Sequence, residues 1–251
     1  MKSIFDRPRR ERFISHRGYQ PMAPANSLPG FAYAGLLGQW AIETDVQRTR
    51  DGVLVCCHDA SVDSTFNGNG VIAEMTWDEL ARLRICQGNR RECIPQEQLR
   101  MPLFAEYLSI CRRAGSIPFV ELKTDDTEAV ICELRRCGFA DSEVVMSSGR
   151  LSRLAETRHL APEMFVHWIF AAEERIGELA ALGYAGLSWK IADAFACPPE
   201  KIALAHEAGV KVCLRAADDT ETVAHMLALG LDYLPSNCMH APLYGGMNEK
   251  E

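Results

Sequence analysis

Residues 40–58 read W-A-I-E-T-D-V-Q-R-T-R-D-G-V-L-V-C-C-H. Two strand-like runs flank Arg50-Asp51-Gly52, and Asp-Gly between such runs is a hairpin signal. A hairpin partner runs antiparallel. The second run, Val53–His58, therefore cannot be the next strand of a parallel sheet. That subtraction decides the fold. The chain carries nine β-rich runs: Arg12–His16, Trp40–Asp45, Val53–His58, Ile117–Leu122, Glu143–Ser147, Met164–Ile169, Tyr184–Trp189, Lys211–Leu214 and Asp232–Ser236. Without Val53–His58, eight remain.

Amphipathic stretches fill most of the gaps. Four of them, Thr127–Cys137, Glu173–Leu182, Glu200–Ala208 and Thr220–Leu229, run into Gly138, Gly183, Gly209 and Gly230. Helix, glycine, strand is the rhythm of βα units, with glycine just past each helix. Eight parallel strands alternating with helices in about 250 residues predict an α/β fold of the TIM-type (β/α)8 barrel class. No linker or low-complexity tract divides the chain. Residues 1–251 are expected to form one domain with its core at about 12–240. Ser61–Pro102 is longer and more irregular than the other connections and is expected to be an excursion over the C-terminal mouth.

The 251 residues are 47% hydrophobic with a net charge of −7, enough for one large core. The absence of a basic excess argues against nucleic acid or anionic lipid as partner. No apolar run reaches the ~20 residues of a membrane span, so no stable membrane association is expected. Met1–Arg12 is basic and polar and is read as lacking a secretory signal. The ten cysteines form no C-x-x-C pair and sit partly in apolar runs, so reduced, mostly buried thiols in a cytoplasmic protein are expected rather than disulfides or zinc. Self-association is left open, a homo-oligomer being compatible with the sequence.

Barrel enzymes react at the C-terminal ends of their strands. Those ends carry His16-Arg17-Gly18, Glu43-Thr44-Asp45 and Glu121-Leu122-Lys123, and the hairpin returns to His58-Asp59. Alternate side chains of a strand share a face, so Glu43 and Asp45 point the same way. Like charges that close repel unless a proton or cation lies between them. Glu-x-Asp alone also describes two separate surface acids. With Glu121 from the next barrel strand it becomes three oxygen ligands, which suit one divalent cation, Mg2+ or Ca2+. Antiparallel pairing puts His58 opposite residues 43–45, so His58 and His16 flank the carboxylates. Two imidazoles there fit phosphoryl chemistry, one taking a proton and one giving it. Arg17 and Lys123 add positive charge for an anionic transition state. Asp59 either orients His58 or caps the next loop. Trp40 and Trp168 are expected in the core. Trp189 ends a strand and is expected to line the mouth. His159, His206, His225 and His240 have no partners at ligand spacing and are expected to face solvent.

The segments S-H-R-G-Y-Q-P-M-A-P-A-N-S-L-P-G-F-A-Y-A (15–34), I-E-T-D-V-Q-R-T-R-D-G-V-L-V-C-C-H-D (42–59), G-N-G-V-I-A-E-M-T-W-D-E-L-A-R-L (68–83), M-P-L-F-A-E-Y-L (101–108) and F-V-E-L-K (119–123) resemble the glycerophosphodiester phosphodiesterase family. The ordered set H-R-G, E-x-D, H-D and E-L-K carries the resemblance, over roughly residues 13–123 and more loosely beyond. The resemblance implies a TIM-type barrel and metal-dependent cleavage of a small-molecule glycerophosphodiester to glycerol phosphate and an alcohol. It implies His16 and His58 as acid–base pair, Glu43, Asp45 and Glu121 as metal ligands, and Arg17 and Lys123 as phosphate contacts. It also implies initial attack by a neighbouring glycerol hydroxyl, giving a cyclic phosphate that water opens.

The departures gather away from those positions. Ala25 stands where the family's P-E-N-T has its glutamate, Ser64-Thr65-Phe66 replaces R-T-T, Arg215-Ala216-Ala217-Asp218 matches W-T-V-N, and Ser236-Asn237 matches T-D. Arg215, at a late strand end, is expected to bind substrate. Its guanidinium favours an alcohol portion that carries its own negative charge over choline. Two other readings share these residues: a lyase that stops at the cyclic phosphate, and a non-catalytic binder of phosphorylated polyols.

Overall fold

The computed structural model describes residues 3–6, 11–191 and 193–240. Eight parallel strands form the barrel: β1 (Phe13–Ser15), β2 (Ala41–Arg48), β4 (Ile117–Leu122), β5 (Val145–Ser148), β6 (Phe165–Trp168), β7 (Ala185–Ser188), β8 (Lys211–Cys213) and β9 (Leu234–Ser236). Their order is β8-β7-β6-β5-β4-β2-β1-β9, and β3 (Leu54–Cys56) lies off this path. The seam between β8 and β9 is bridged by backbone bonds from Asp232 N–H to the Val212 carbonyl (2.9 Å) and from Ala217 N–H to the Pro235 carbonyl (3.0 Å). The sheet is thus a nearly closed barrel.

The hairpin is as the Asp-Gly turn predicts. β3 pairs antiparallel with the far end of β2, Val46 opposite Cys56 and Arg48 opposite Leu54. Gly52 takes a φ of +89°, which glycine adopts without steric cost. Asp51 secures the turn, accepting from Thr49 Oγ1 at 2.6 Å and from Trp77 N–H at 3.0 Å.

Among the described residues, seven longer helices cover the barrel: α1 (Leu28–Leu36), α3 (Phe104–Ala114), α4 (Thr127–Arg136), α5 (Leu151–Leu160), α6 (Ile176–Leu182), α7 (Pro199–Glu207) and α8 (Thr220–Ala228). A short helix, α2 (Trp77–Leu80), lies in the excursion. Ser27, Asp126 and Asp219 accept from N–H groups of the first turns of α1, α4 and α8, each such cap contributing about 1 kcal/mol. Gly138, Gly183, Gly209 and Gly230 all have positive φ, consistent with chain reversal after a helix.

One face of each strand packs against the helices. The other fills the barrel, where Ile14, Phe119, Val145, Phe165 and Tyr233 close the lower part. Gly186 belongs to this layer, because a Cβ there would stand 2.3 Å from the Tyr233 hydroxyl. The N-terminal segment is less purely polar in role than its composition suggests. Ile4 is 2% exposed, and the Phe5 ring lies 5.5 Å from Trp40 and 5.2 Å from Phe165, stopping the N-terminal end of the barrel.

The Ser61–Pro102 excursion has a core of its own. Val62, Phe66, Ile72, Leu80, Ile85, Leu99 and Met101 cluster with Val55 and Cys57 of the hairpin. It runs along one side of the mouth, where Asn89 donates to the Gln20 carbonyl at 3.0 Å. All ten cysteines are free, but only five, at 56, 57, 111, 197 and 213, are buried, fewer than expected. Cys93 and Cys132 are exposed because they lie on the excursion and on the outer side of α4. Among the described residues no helix is long and apolar enough to cross a membrane.

Candidate active site

Strand register assembles the acids. Asp45 of β2 stands opposite Glu121 of β4, and Glu43 opposite Phe119. Both β2 acids are buried, and ligand oxygens of Glu43, Asp45 and Glu121 all lie within 4.8 Å of one another. Just below, α3 inserts Tyr107 between the two strands. Its hydroxyl accepts from Phe119 N–H (3.1 Å) and donates to the Ile42 carbonyl (2.6 Å), securing the backbone beside Glu43.

The loop after β1 closes over these acids in a strained conformation. Arg17 and Asn26 have φ of 58° and 48°, the left-handed region. Such a residue costs on the order of 1 kcal/mol or more. The strain turns Arg17 N–H onto Glu43 Oε2 at 2.8 Å, while Arg17 Nε lies 3.2 Å from Asp45 Oδ2. Asn26 donates to Asp45 Oδ2 at 2.8 Å and accepts from Thr44 Oγ1 at 2.8 Å. Lys123 pairs with Glu121 and lies 3.5 Å from Asp45 Oδ1.

The electrostatics remain unbalanced despite these cations. Burial, then the charges of Asp45 and Glu121, pushes the Glu43 carboxyl well above the usual carboxylate range. Burial and Asp45 likewise push Glu121 up, against the pull of Lys123. Asp45 Oδ1 is buried with no hydrogen-bond partner. Three converging carboxylates, two of them held against ionisation, and one buried oxygen with no hydrogen bond, only the Lys123 ammonium at 3.5 Å, fit a hard divalent cation.

The two expected histidines border this cluster. His16 follows β1, and its Nδ1 lies 2.9 Å from Asn237 Oδ1. Burial, then Arg17, lowers its pKa. His58 follows β3 and is half exposed, its Nδ1 2.7 Å from Asp59 Oδ1. Asp59 accepts from Ser64 at 2.5 Å, and the hydrogen bonds from Ser64 and His58 hold its carboxyl below the usual range. Asp59 therefore bonds both His58 and, through its other oxygen, Ser64 of the following loop. Gln47 Nε2 steadies the turn, bonding the carbonyls of His58 (3.4 Å) and Asp59 (3.2 Å).

His16, Arg17, Glu43, His58, Glu121 and Lys123 line one side of a cavity of about 500 Å³ at the C-terminal end of the barrel. Asp45 lies just beneath. The other side, from β6 to β9, is less charged and includes Ile169, Phe170, Ser188 and Arg215. Arg215 is exposed at this rim, as expected from its strand end.

Trp189 is a correction. It does not line the mouth but is 2% exposed in the layer between barrel and helices, with Lys201 Nζ 5.0 Å from its ring centroid. Alternation explains the error. Ser188 faces the cavity, so the next residue faces outward. Trp40 and Trp168 are buried as expected. His206 is exposed but pairs with Asp232 at 2.9 Å.

Three polar groups escaped the sequence reading. His167 lines the cavity floor from β6, 2.5 Å from the Tyr233 hydroxyl, and burial lowers its pKa to about 3. Its place between Phe165 and Ile169 on the inward face was the available signal. Asn26, Asp218 and Asn237 stood only at matched motif positions, and their hydrogen bonding was hidden because partners distant in sequence leave no local pattern.

Comparison with known proteins agrees with this architecture. The family model described as the glycerophosphoryl diester phosphodiesterase family matches residues 16–237. Mouse glycerophosphodiester phosphodiesterase 1 is 34% identical over 111 residues, 44% of this chain and 33% of that protein. A glycerophosphodiester phosphodiesterase of Caldanaerobacter subterraneus is 44% identical over 70 residues, 28% of this chain and 29% of that one. The chain thus spans about a third of the length of these curated relatives. The structure of an Oleispira antarctica phosphodiesterase, solved with its product sn-glycerol-3-phosphate, superposes with a TM-score of 0.82 at 24% identity, covering 99% of this chain and 98% of that one. A glycerophosphodiester phosphodiesterase from Agrobacterium tumefaciens gives 0.76 at 23% identity, covering 91% and 97%. With a match that spans nearly all of the barrel, the chain belongs to the glycerophosphoryl diester phosphodiesterase family.

Proposed function

We propose that this protein hydrolyses glycerophosphodiesters to glycerol phosphate and an alcohol, with one divalent cation, Mg2+ or Ca2+, held by Glu43, Asp45 and Glu121. The observation that carries the reading is the carboxylate cluster bordered by His16 and His58 at the end of one cavity. The cation, when bound, supplies positive charge that stabilises a phosphoryl oxygen as its negative charge grows.

The chain's own residues divide the remaining work. Arg17 and Lys123 face the same point and favour the phosphodiester anion. His16, its pKa lowered by burial and then by the Arg17 cation, serves as the base for the attacking hydroxyl. His58, its Nδ1 bonded to Asp59, is assigned as the acid that gives a proton to the leaving alcohol. When a neighbouring glycerol hydroxyl attacks first, the roles reverse as water opens the cyclic phosphate. A lyase would omit that second step, and phosphorus NMR of the product separates the two. A non-catalytic polyol binder is disfavoured by the paired histidines bordering the acids.

Arg215 is proposed to bind substrate at the alcohol side. No hydrogen bond or ion pair engages its guanidinium among the described contacts, so an anionic alcohol portion is the expected preference. Turnover of glycerophosphoserine or glycerophosphoinositol should therefore exceed that of glycerophosphocholine, and Arg215→Ala should narrow the gap about tenfold. A choline preference unchanged in Arg215→Ala contradicts this. The test of the function itself is product analysis with each cation in turn. Glycerol phosphate release that His16→Ala and His58→Ala each abolish supports the reading, and no turnover with any cation rejects it.

A further inference from the structure

Beyond the groups assigned above, the late strands carry a hydrogen-bond chain that reaches His16 through Asn237, which also lines the cavity. Asn237, just after β9, accepts at Oδ1 from Gln20 Nε2 (2.6 Å) and lies 2.9 Å from His16 Nδ1 through the same oxygen. Its Nδ2 donates to Asp218 Oδ2 at 2.6 Å, and its backbone N–H donates to Asp218 Oδ1 at 2.7 Å. Ser236 Oγ donates to that second oxygen at 3.0 Å. Gln20 Nε2 also donates to the His16 carbonyl at 3.0 Å.

The polarity of this chain is fixed at both ends. An ionised carboxylate only accepts, so the Asn237 atom facing Asp218 is the amide nitrogen. A backbone carbonyl only accepts, so the Gln20 atom at the His16 carbonyl is also nitrogen, and it can only donate to Asn237. Both constraints turn the Asn237 carbonyl oxygen toward His16. A ring nitrogen facing an acceptor must carry the proton. We propose that Asp218 and Asn237 are a positioning pair that holds His16 in its Nδ1–H tautomer and leaves Nε2 as the ring's basic nitrogen. The pair would decide which nitrogen accepts a proton. It touches neither the carboxylate cluster nor the phosphate cations in any described contact. The inference deepens the proposed function, since it concerns the tautomer that a base at position 16 needs.

The test reads the tautomer directly. Long-range proton–nitrogen NMR of 15N-labelled protein, with His16 assigned by its loss in His16→Gln, is recorded above the pH at which the ring titrates. The expected result is a pyrrole-like shift at Nδ1 and a pyridine-like shift at Nε2. Asn237→Leu removes the acceptor and should move both shifts toward the average of mixed tautomers, with kcat falling about tenfold and KM little changed. A wild-type His16 protonated at Nε2, or shifts unmoved in folded Asn237→Leu, overturns the proposal. The wild-type spectrum decides even when a variant fails to fold. Failure of the phosphodiesterase reading would show instead as absent turnover with the His16 shifts intact.

Discussion

The acids of β2 and β4 and the pair of His167 on β6 with Tyr233 just before β9 lie inside the same barrel, and both are largely buried polar groups. They are finished differently. His167 meets one hydroxyl, stays neutral, and packs edge-on against Phe119 at 5.3 Å between ring centroids. Glu43, Asp45 and Glu121 crowd three acceptors together, leave Asp45 Oδ1 without a hydrogen bond, and hold Glu43 and Glu121 against ionisation. A satisfied buried pair stabilises a fold, whereas an over-supply of acceptors calls for something the chain does not itself provide. The side of the mouth with excess negative potential is where chemistry is expected, and the quieter side is where shape and selectivity are expected.

The comparison can be broken most sharply at the acids. Asp45→Asn should lower kcat/KM about a thousandfold or more, because charge stabilisation at the phosphoryl oxygen is lost. The same class of change should make the metal-free protein more resistant to heat, since it removes like-charge repulsion. Thermal unfolding of Glu43→Gln in excess chelator tests this, and a lower melting temperature than wild type would count against the reading.

The next largest effect is a pH dependence of opposite sign with and without cation. Glu43 and Glu121 keep protons in the fold at pH values where the unfolded chain has released them. The native state then binds more protons than the unfolded one, so the chelated protein should lose stability as pH rises above the ordinary carboxylate range. A divalent cation competes with those protons, so its stabilising effect should grow over the same window. Melting curves at stepped pH, with chelator and with Mg2+, give the measurement.

On the satisfied side, effects should fall on stability. His167→Phe should cost about 1–3 kcal/mol, leaving the buried Tyr233 hydroxyl without its partner, with turnover changed only a few-fold. His167 also has a folded pKa of about 3, below its unfolded value of about 6.5. Its contribution is present at neutral pH and lost as pH falls through that interval. Denaturant unfolding of wild type and variant at neutral and acid pH should show the difference narrowing in acid. The smallest expected effect is at Trp189. Its indole nitrogen is buried without a partner, so Trp189→Phe should leave KM within about twofold and shift stability by about 1 kcal/mol or less. A large KM change would return Trp189 to the mouth.

The barrel was legible because period-two and helical patterns are local. The Asp51-Gly52 turn identified the antiparallel strand that would otherwise have spoiled the count. The acids were legible because Glu-x-Asp fixes a shared face, and β2–β4 register then aligned Asp45 with Glu121. Trp189 was misplaced because a one-residue error at a strand end reverses the face. His167 depends on Tyr233, 66 residues away, and His16 on Asn237, 221 residues away. Nothing in either local segment announces such a partner. The excursion's separate core was hidden for a related reason, its apolar residues being spread over short bridges without sustained periodicity.

The central claim is a single cation at one set of oxygens. Anomalous diffraction from a crystal soaked in Mn2+, followed by refinement of crystals grown with Mg2+ and with Ca2+, locates it. One peak per chain bound by Glu43, Asp45 and Glu121 is predicted, with oxygen distances of about 2.0–2.1 Å for Mg2+ or about 2.3–2.6 Å for Ca2+. A cluster without a peak at saturating cation, its carboxyls bonded to one another through protons, would contradict it.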